Sequence, residues 1–245
     1  IEVTGKLGST YLARTIRPEQ NKLRHRVAEL MAANGYHEIY TNSLTKSSYA
    51  KLTDTFDEQQ HVTILNPLSK TLDVLRQTLL FSGLEVVAHN INRKQPDLKL
   101  FECGKIYCKK AQQYVENNRL GIWITGSIEA TNWIRKPQEV TFQDMHTMLH
   151  KVLHRLNFTN FTAQPFQDPL YQGSIQVVLE QTKCLTAGKV HQSLLEHMGI
   201  NQPVFFADIN WEVLLSKSKP LNLYQAISKF PPVRRDISLV LNKSV

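Results

Sequence analysis

Residues 66–107, NPLSKTLDVLRQTLLFSGLEVVAHNINRKQPDLKLFECGKIY, decide how the chain is read. Asn66-Pro67 opens a turn, because a proline fixes its own φ and pushes the residue before it out of the helical region. Leu72, Leu75, Leu79, Leu84, Val87, Ala88 and Ile91 then recur at helical spacing, which predicts one long helix or a pair of helices parting at Gly83. Arg76 lies on this apolar pattern, and a charge there requires a partner; an interdomain carboxylate is expected, with Glu102 the nearest candidate. The stretch closes on LKLFECGKIYC (98–108), whose aliphatic and aromatic density reads as a strand.

Working outward, RLGIWITG (119–126) reads as an antiparallel neighbour of that strand, with polar KKAQQYVENN as the connection. Upstream, Leu23, Val27, Leu30 and Met31 form one apolar stripe over residues 19–34. Pro18 suits the first position of that helix and Gly35 its left-handed end, which would set Tyr36 over Met31. YHEIYTNSL (36–44) follows as a strand-like run. Downstream, Thr141 and Asp144 have the spacing of a capping box for a helix through Leu156, with Phe142, Met145, Leu149, Val152, Leu153 and Leu156 inward. GSIQVVLE, CLTAGKV, PVFFADI and NLYQAIS read as further strands. The closing KFPPVRRDISLVLNKSV (229–245) reads as a stiff arm followed by a strand in which Ile237, Leu239 and Leu241 alternate with polar residues. Helices flanking a mostly antiparallel sheet make an α+β architecture.

Composition narrows the function classes. The 245 residues are 42% hydrophobic, enough for a sizeable core, and no run reaches the roughly 18 apolar residues of a membrane span. The three cysteines, Cys103, Cys108 and Cys184, form no CxxC pair and read as reduced thiols, so a soluble intracellular chain is expected. The formal charge of +8 attracts polyanions, but the basic residues fall in short groups, Arg24-His25-Arg26, Arg93-Lys94, Arg135-Lys136 and Arg234-Arg235, without an RNA-binding motif. His146, His150 and His154 recur every fourth residue, a spacing that can place two imidazoles on one metal, yet they border the apolar stripe and lack an HExxH frame. Neither GxxxxGK[ST], GxGxxG nor GxSxG occurs, and Asp73, Asp97, Asp144, Asp168 and Glu102 form no evident catalytic carboxylate pair.

Three stretches carry a family resemblance. Residues 66–107 resemble the region of bacterial phenylalanine–tRNA ligase β subunits reading approximately NP-x-S-x5-(M/L)-R-x-(S/T)-LL-x2-LL-x3-A-x-N-x-NR-x6-(L/F)-FE-x-G. KFPPVRRDISLVL resembles the F-P-x-(V/S)-RRD start of that subunit's anticodon-binding domain, and TNWIRKPQEVTFQD, one residue shorter before its valine, resembles a W-x-x-(K/P)-x4-V-x-F-x-D stretch lying between the two. Asn66, Pro67, Arg76, Asn92, Phe101, Glu102 and Gly104 are the residues that carry the first match.

The resemblance implies a class II aminoacyl-tRNA synthetase-like antiparallel sheet flanked by helices. Residues 1–228 would be a catalytic-like but non-catalytic core module, and 229–245 the truncated start of a ferredoxin-like anticodon-binding domain. The strand resembling motif 2 reads LKLFECGK, with Phe101 between Leu100 and Glu102 and no F-R-x-E; the stretch at motif 3, FFADINWEVLL, has neither arginine nor glycine. Asn42 stands where motif 1 would end on proline. No catalytic and no metal-ligating residue is expected, and ATP and magnesium would be used by the cytoplasmic (αβ)2 holoenzyme, which charges tRNA(Phe), rather than bound here. The resemblance implies docking on the catalytic α subunit through Leu23, Arg24, Val27, Leu30 and Met31, against the competing use of that stripe as this chain's own core. The alternative function is a module that binds tRNA directly through its basic groups.

Overall fold

The computed structural model describes residues 19–66, 71–111, 113–128, 133–134, 137–158, 161–217 and 235–238. Helix α1 (Glu19–Ala33) is followed by the two-residue strands β1 (His37–Glu38) and β2 (Leu44–Thr45), a 3₁₀ segment at Ser47–Leu52, and the short strands β3 (Val62–Thr63) and β4 (Val74–Leu75). Next come α2 (Leu80–Ile91), β5 (Leu98–Lys110), β6 (Gln113–Thr125) and α3 (Phe142–Arg155). Strands β7 (Thr162–Phe166), β8 (Tyr171–Leu179) and β9 (Thr182–Val190), helix α4 (Gln192–His197), strand β10 (Val204–Asn210) and helix α5 (Trp211–Lys217) complete the series. Pro18, Pro67, the NLYQAIS run and most of the closing arm lie outside the described residues; of that arm, Ile237 is exposed and residues 235–238 have no regular structure. Among the described residues no helix is long and apolar enough to cross a membrane.

Seven strands form the main sheet in the order β1-β5-β6-β10-β9-β8-β7, antiparallel throughout except for the parallel β1–β5 pair. Alternation along β6 shows how the sheet separates two cores. Leu120, Ile122 and Ile124 point to one face, where α1, α3 and α5 contribute Val27, Met31, Leu149, Val152 and Leu214. Trp123 points to the other, where α2 and α4 contribute Leu80, Leu84, Val87 and Leu195. Helices on both sides of an antiparallel sheet give the α+β fold expected from the sequence.

Local signals were reliable where they closed on themselves. Gly35 adopts φ +80°, Tyr36 N–H donates to Met31 C=O at 3.1 Å and Gly35 N–H to Ala32 C=O at 3.0 Å, which are the two bonds of a Schellman cap. Thr141 N–H donates to the Asp144 carboxylate at 2.8 Å, completing the capping box of α3.

Long-range pairing overrode the pattern elsewhere. Residues 72–79 are not helical: Val74 and Leu75 pair with Leu44 and Thr45 on one side and with Val62 and Thr63 on the other. The Thr78 hydroxyl accepts from Leu80 N–H at 3.1 Å, a local bond that competes with helix extension. Gly83 does not divide two helices but lies within α2, where a Cβ would come 2.1 Å from the Trp123 ring. The polar 109–118 connection belongs largely to β5 and β6, whose pairing continues to Lys110 and Gln113 with the turn at Ala111.

Two of the three thiols carry a test. Burial pushes both Cys103 and Cys184 up to about 11, so only about one molecule in a thousand carries either thiolate near pH 8. A thiolate-selective disulfide reagent is expected to label both slowly in the folded chain, Cys184 slowest, and denaturant to make both react quickly. Rapid labelling of Cys184 in the folded chain would contradict this.

Candidate functional site

Arg76 follows β4 rather than sitting on a helix, and its guanidinium is driven under the sheet, where the residue is 3% exposed. Its Nη2 donates to Glu102 Oε1 at 2.8 Å, from the centre of β5, and Glu102 is 0% exposed. Thr41 links the two: its hydroxyl accepts from Arg76 Nη1 and donates to Glu102 Oε2, each at 2.6 Å. Arg76 Nε adds a bond to Lys105 C=O at 2.9 Å. A buried ion pair is tolerable only when its remaining donors and acceptors are satisfied in this way. Gly104 leaves the room: a Cβ there would stand 2.5 Å from Arg76 Nη2 and 2.8 Å from Glu102 Oε1. Arg76, Glu102 and Gly104, three of the motif residues, thus form one constellation.

The other motif residues are dispersed. Phe101 is buried on the opposite face with α1 and α3, Asn92 closes α2 with its N–H on Ala88 C=O at 3.0 Å, and Asn66 is exposed. Thr41 carried no sequence signal, since a threonine in a strand-like run is unremarkable. Arg119 and Asp208 were also missed, although a charge inside an apolar strand run was a signal of the kind that identified Arg76.

The first helix requires a correction. Val27 and Met31 are 0% exposed and belong to the chain's own core, because α1 lies flat against α3 and the sheet. They have no surface to offer a partner. Leu23 and Leu30 are half-buried and Arg24 is exposed, its Nη2 donating to Cys103 C=O at 3.1 Å. Leu23 and Arg24 also border a groove of about 520 Å³, closed on the other side by Trp211 and Leu215 of α5.

Comparison with known proteins places this arrangement. The profile of the phenylalanyl tRNA synthetase beta chain CLM domain matches residues 7–211. The chain belongs to the phenylalanyl-tRNA synthetase β-chain family. The phenylalanine–tRNA ligase beta subunit of Bacteroides thetaiotaomicron is 34% identical, covering 100% of this chain and 32% of that protein. That of Porphyromonas gingivalis is 33% identical over the same shares. The chain therefore spans about a third of the length of these β-chain relatives. Among solved structures, a pyrrolysyl-tRNA synthetase from Desulfitobacterium hafniense superposes with a TM-score of 0.64 at 22% identity, covering 82% of this chain and 70% of that one. That likeness is one of fold: the sheet of this β-chain member is class II synthetase-like in architecture.

Two further groups of side chains have structural settings. His146 and His150 pack their rings with centroids 4.4 Å apart, and His150 lies 4.6 Å from Phe161. Among the described residues no three His, Cys, Asp or Glu side chains are grouped as a metal would require. Of the basic groups, Arg24-His25-Arg26 lie on α1 and Arg93-Lys94 follow α2, while Arg135-Lys136 and Arg234 fall outside the described residues.

Proposed function

We propose that this chain is the non-catalytic core module of a phenylalanine–tRNA ligase β subunit, scaffolding the catalytic α subunit of a cytoplasmic (αβ)2 enzyme that charges tRNA(Phe) with phenylalanine using ATP and magnesium. The observation that carries the reading is Leu100. An F-R-x-E strand holds its arginine two residues before the glutamate and, because side chains alternate, on the same face. Counting back from Glu102, that position is Leu100, which is 4% exposed and packed in the apolar cluster with Trp123 and Phe206. Strand β10 and helix α5, the counterpart of motif 3, contain neither arginine nor glycine. Activation of an amino acid by ATP develops charge on phosphate oxygens that a fixed cation must meet; at the motif 2 position the chain supplies Leu100 instead, and at motif 3 no arginine.

The scaffolding half of the reading rests on the outer side of α1. Leu23 is half-buried and Arg24 exposed beside the groove that Trp211 and Leu215 line, and Leu30 is half-buried two turns further along α1, a mixture of aliphatic and arginine surface suited to a subunit contact. Mixing the chain with separately purified α subunit, followed by size exclusion with light scattering, is expected to give a mixed assembly; separate peaks would count against scaffolding. The chain alone is expected to give no phenylalanine-dependent exchange of pyrophosphate into ATP, and measurable exchange would refute the non-catalytic assignment.

A further inference from the structure

A second polar cluster lies apart from the Arg76 network. Arg119 of β6, Asp208 of β10, Lys183 of β9 and Asp168, just before β8, line a cleft of about 300 Å³. Phe56, Ile106 and Leu170 contribute apolar walls. Asp208 stands opposite Gly121, which in turn stands opposite Glu102, so the two clusters share one rung of the sheet while remaining separate.

Charge pairing inside the cleft is incomplete. Arg119 Nη1 reaches Asp208 Oδ2 at 3.5 Å, longer than a good charge-assisted hydrogen bond. Arg119 Nε and Asp208 Oδ1 are buried with no hydrogen-bond partner. Lys183 Nζ lies 3.9 Å above the Phe166 ring rather than on a carboxylate, and Asp168 Oδ1 is engaged by Leu170 N–H at 3.0 Å. Burial raises the Asp208 carboxyl from its ordinary value, and partial desolvation lowers the Lys183 ammonium although its side chain reaches solvent, so neither charge is fully compensated where it stands.

We infer that this cleft is a binding site for a small zwitterion of the α-amino-acid kind, its carboxylate met by Lys183 and Arg119, its ammonium by Asp208 and Asp168, and its side chain by Phe56, Ile106 and Leu170. The charge count selects the class. Two cations and two carboxylates line the cleft, so an anion such as phosphate would meet as much repulsion as attraction. A purely apolar ligand would leave all four charges without new partners and remove them further from water. The volume lies at the lower end for a ligand pocket and suits one small molecule rather than a nucleotide. Binding is the whole of the inference, and no chemistry on the ligand is implied.

The test titrates the full chain with the standard L-amino acids one at a time, read by calorimetry and by the shift in melting temperature. At least one is expected to bind saturably. Its deaminated analogue and its carboxamide are each expected to bind about tenfold more weakly or worse, since each lacks one of the two charges. Lys183 is exposed, so Lys183→Gln is expected to melt like the parent and to weaken binding by about the same factor. Asp208→Asn should do likewise, and if that variant does not fold, Lys183→Gln decides alone. Absence of saturable binding by every amino acid, or binding that Lys183→Gln leaves unchanged, overturns the assignment.

Discussion

Glu102→Ala is expected to lower the melting temperature by about 10 °C, the larger of the two stability losses at this network being set by what it leaves behind. Arg76 is 3% exposed, and its guanidinium cannot swing into water when its carboxylate is removed. Breaking one side of a buried pair leaves an uncompensated charge at roughly 3–5 kcal/mol. For a chain of this size each kcal/mol moves the midpoint by about 2–4 °C. Glu102→Gln keeps an acceptor for Thr41 and Arg76 and is expected to fall between parent and alanine variant. The double variant Arg76→Met with Glu102→Leu is expected to recover most of the loss, because a buried ion pair exchanged for apolar groups of similar volume is often near neutral. Thermal melts of the four corners of the Arg76/Glu102 cycle measure the coupling directly. Several kcal/mol would make the pair one energetic unit, whereas a value near zero would mean that the residues share a location and little else.

This network also marks how far the sequence could be read. That Arg76 needs a carboxylate partner followed from the cost of burying a charge; Glu102 was only the nearest candidate, and it lies on this domain's own sheet rather than across a domain boundary. That Arg76 sits after a strand did not follow, because the backbone of residues 73–76 is committed to Ser43, Thr45 and Ile64, partners far away in sequence that helical spacing cannot see. Gly83 illustrates the same limit from the other side. A glycine inside a helical pattern reads as a break, and the reason it is tolerated, the Trp123 ring lying where its Cβ would be, exists only once α2 has been laid on the sheet. Strand β7 escaped notice because TAQPF is exposed along most of its length and interrupted by Pro165, an edge-strand composition with no apolar alternation to detect. By contrast, the C-terminal end of α1 and the start of α3 were legible because a Schellman cap and a capping box are complete within six residues. The cleft around Arg119, Lys183 and Asp208 falls between these cases: each charge was visible within or beside an apolar run, but their convergence required the β6-β10-β9 order of the sheet.

Val27→Asp is expected to be at least as damaging as Glu102→Ala, and it separates the two uses of the first helix. Val27 is 0% exposed, so the substitution gives up an apolar side chain worth roughly 1.5–3 kcal/mol of burial. It also places a carboxylate in the cluster with Phe101 and Leu149, which adds several kcal/mol unless the group takes up a proton. The sign of the pH dependence follows. An unpartnered buried Asp has its folded-state pKa raised above the unfolded value near 4, so the charge penalty is absent below that value and fully present above the raised one. Acidification toward about pH 4 should therefore narrow the gap between variant and parent, although the lost apolar contact persists. Arg24→Glu provides the contrast. Arg24 is exposed one helical turn away, so that variant is expected to melt within about 0.5 kcal/mol of the parent while weakening any assembly that uses the outer side of α1. A Val27→Asp chain that folded like the parent would place the apolar stripe at a subunit contact after all. A chain that fails to fold, beside an Arg24→Glu chain that folds but no longer joins the α subunit, would assign the inner side of one helix to the core and its outer side to the partner.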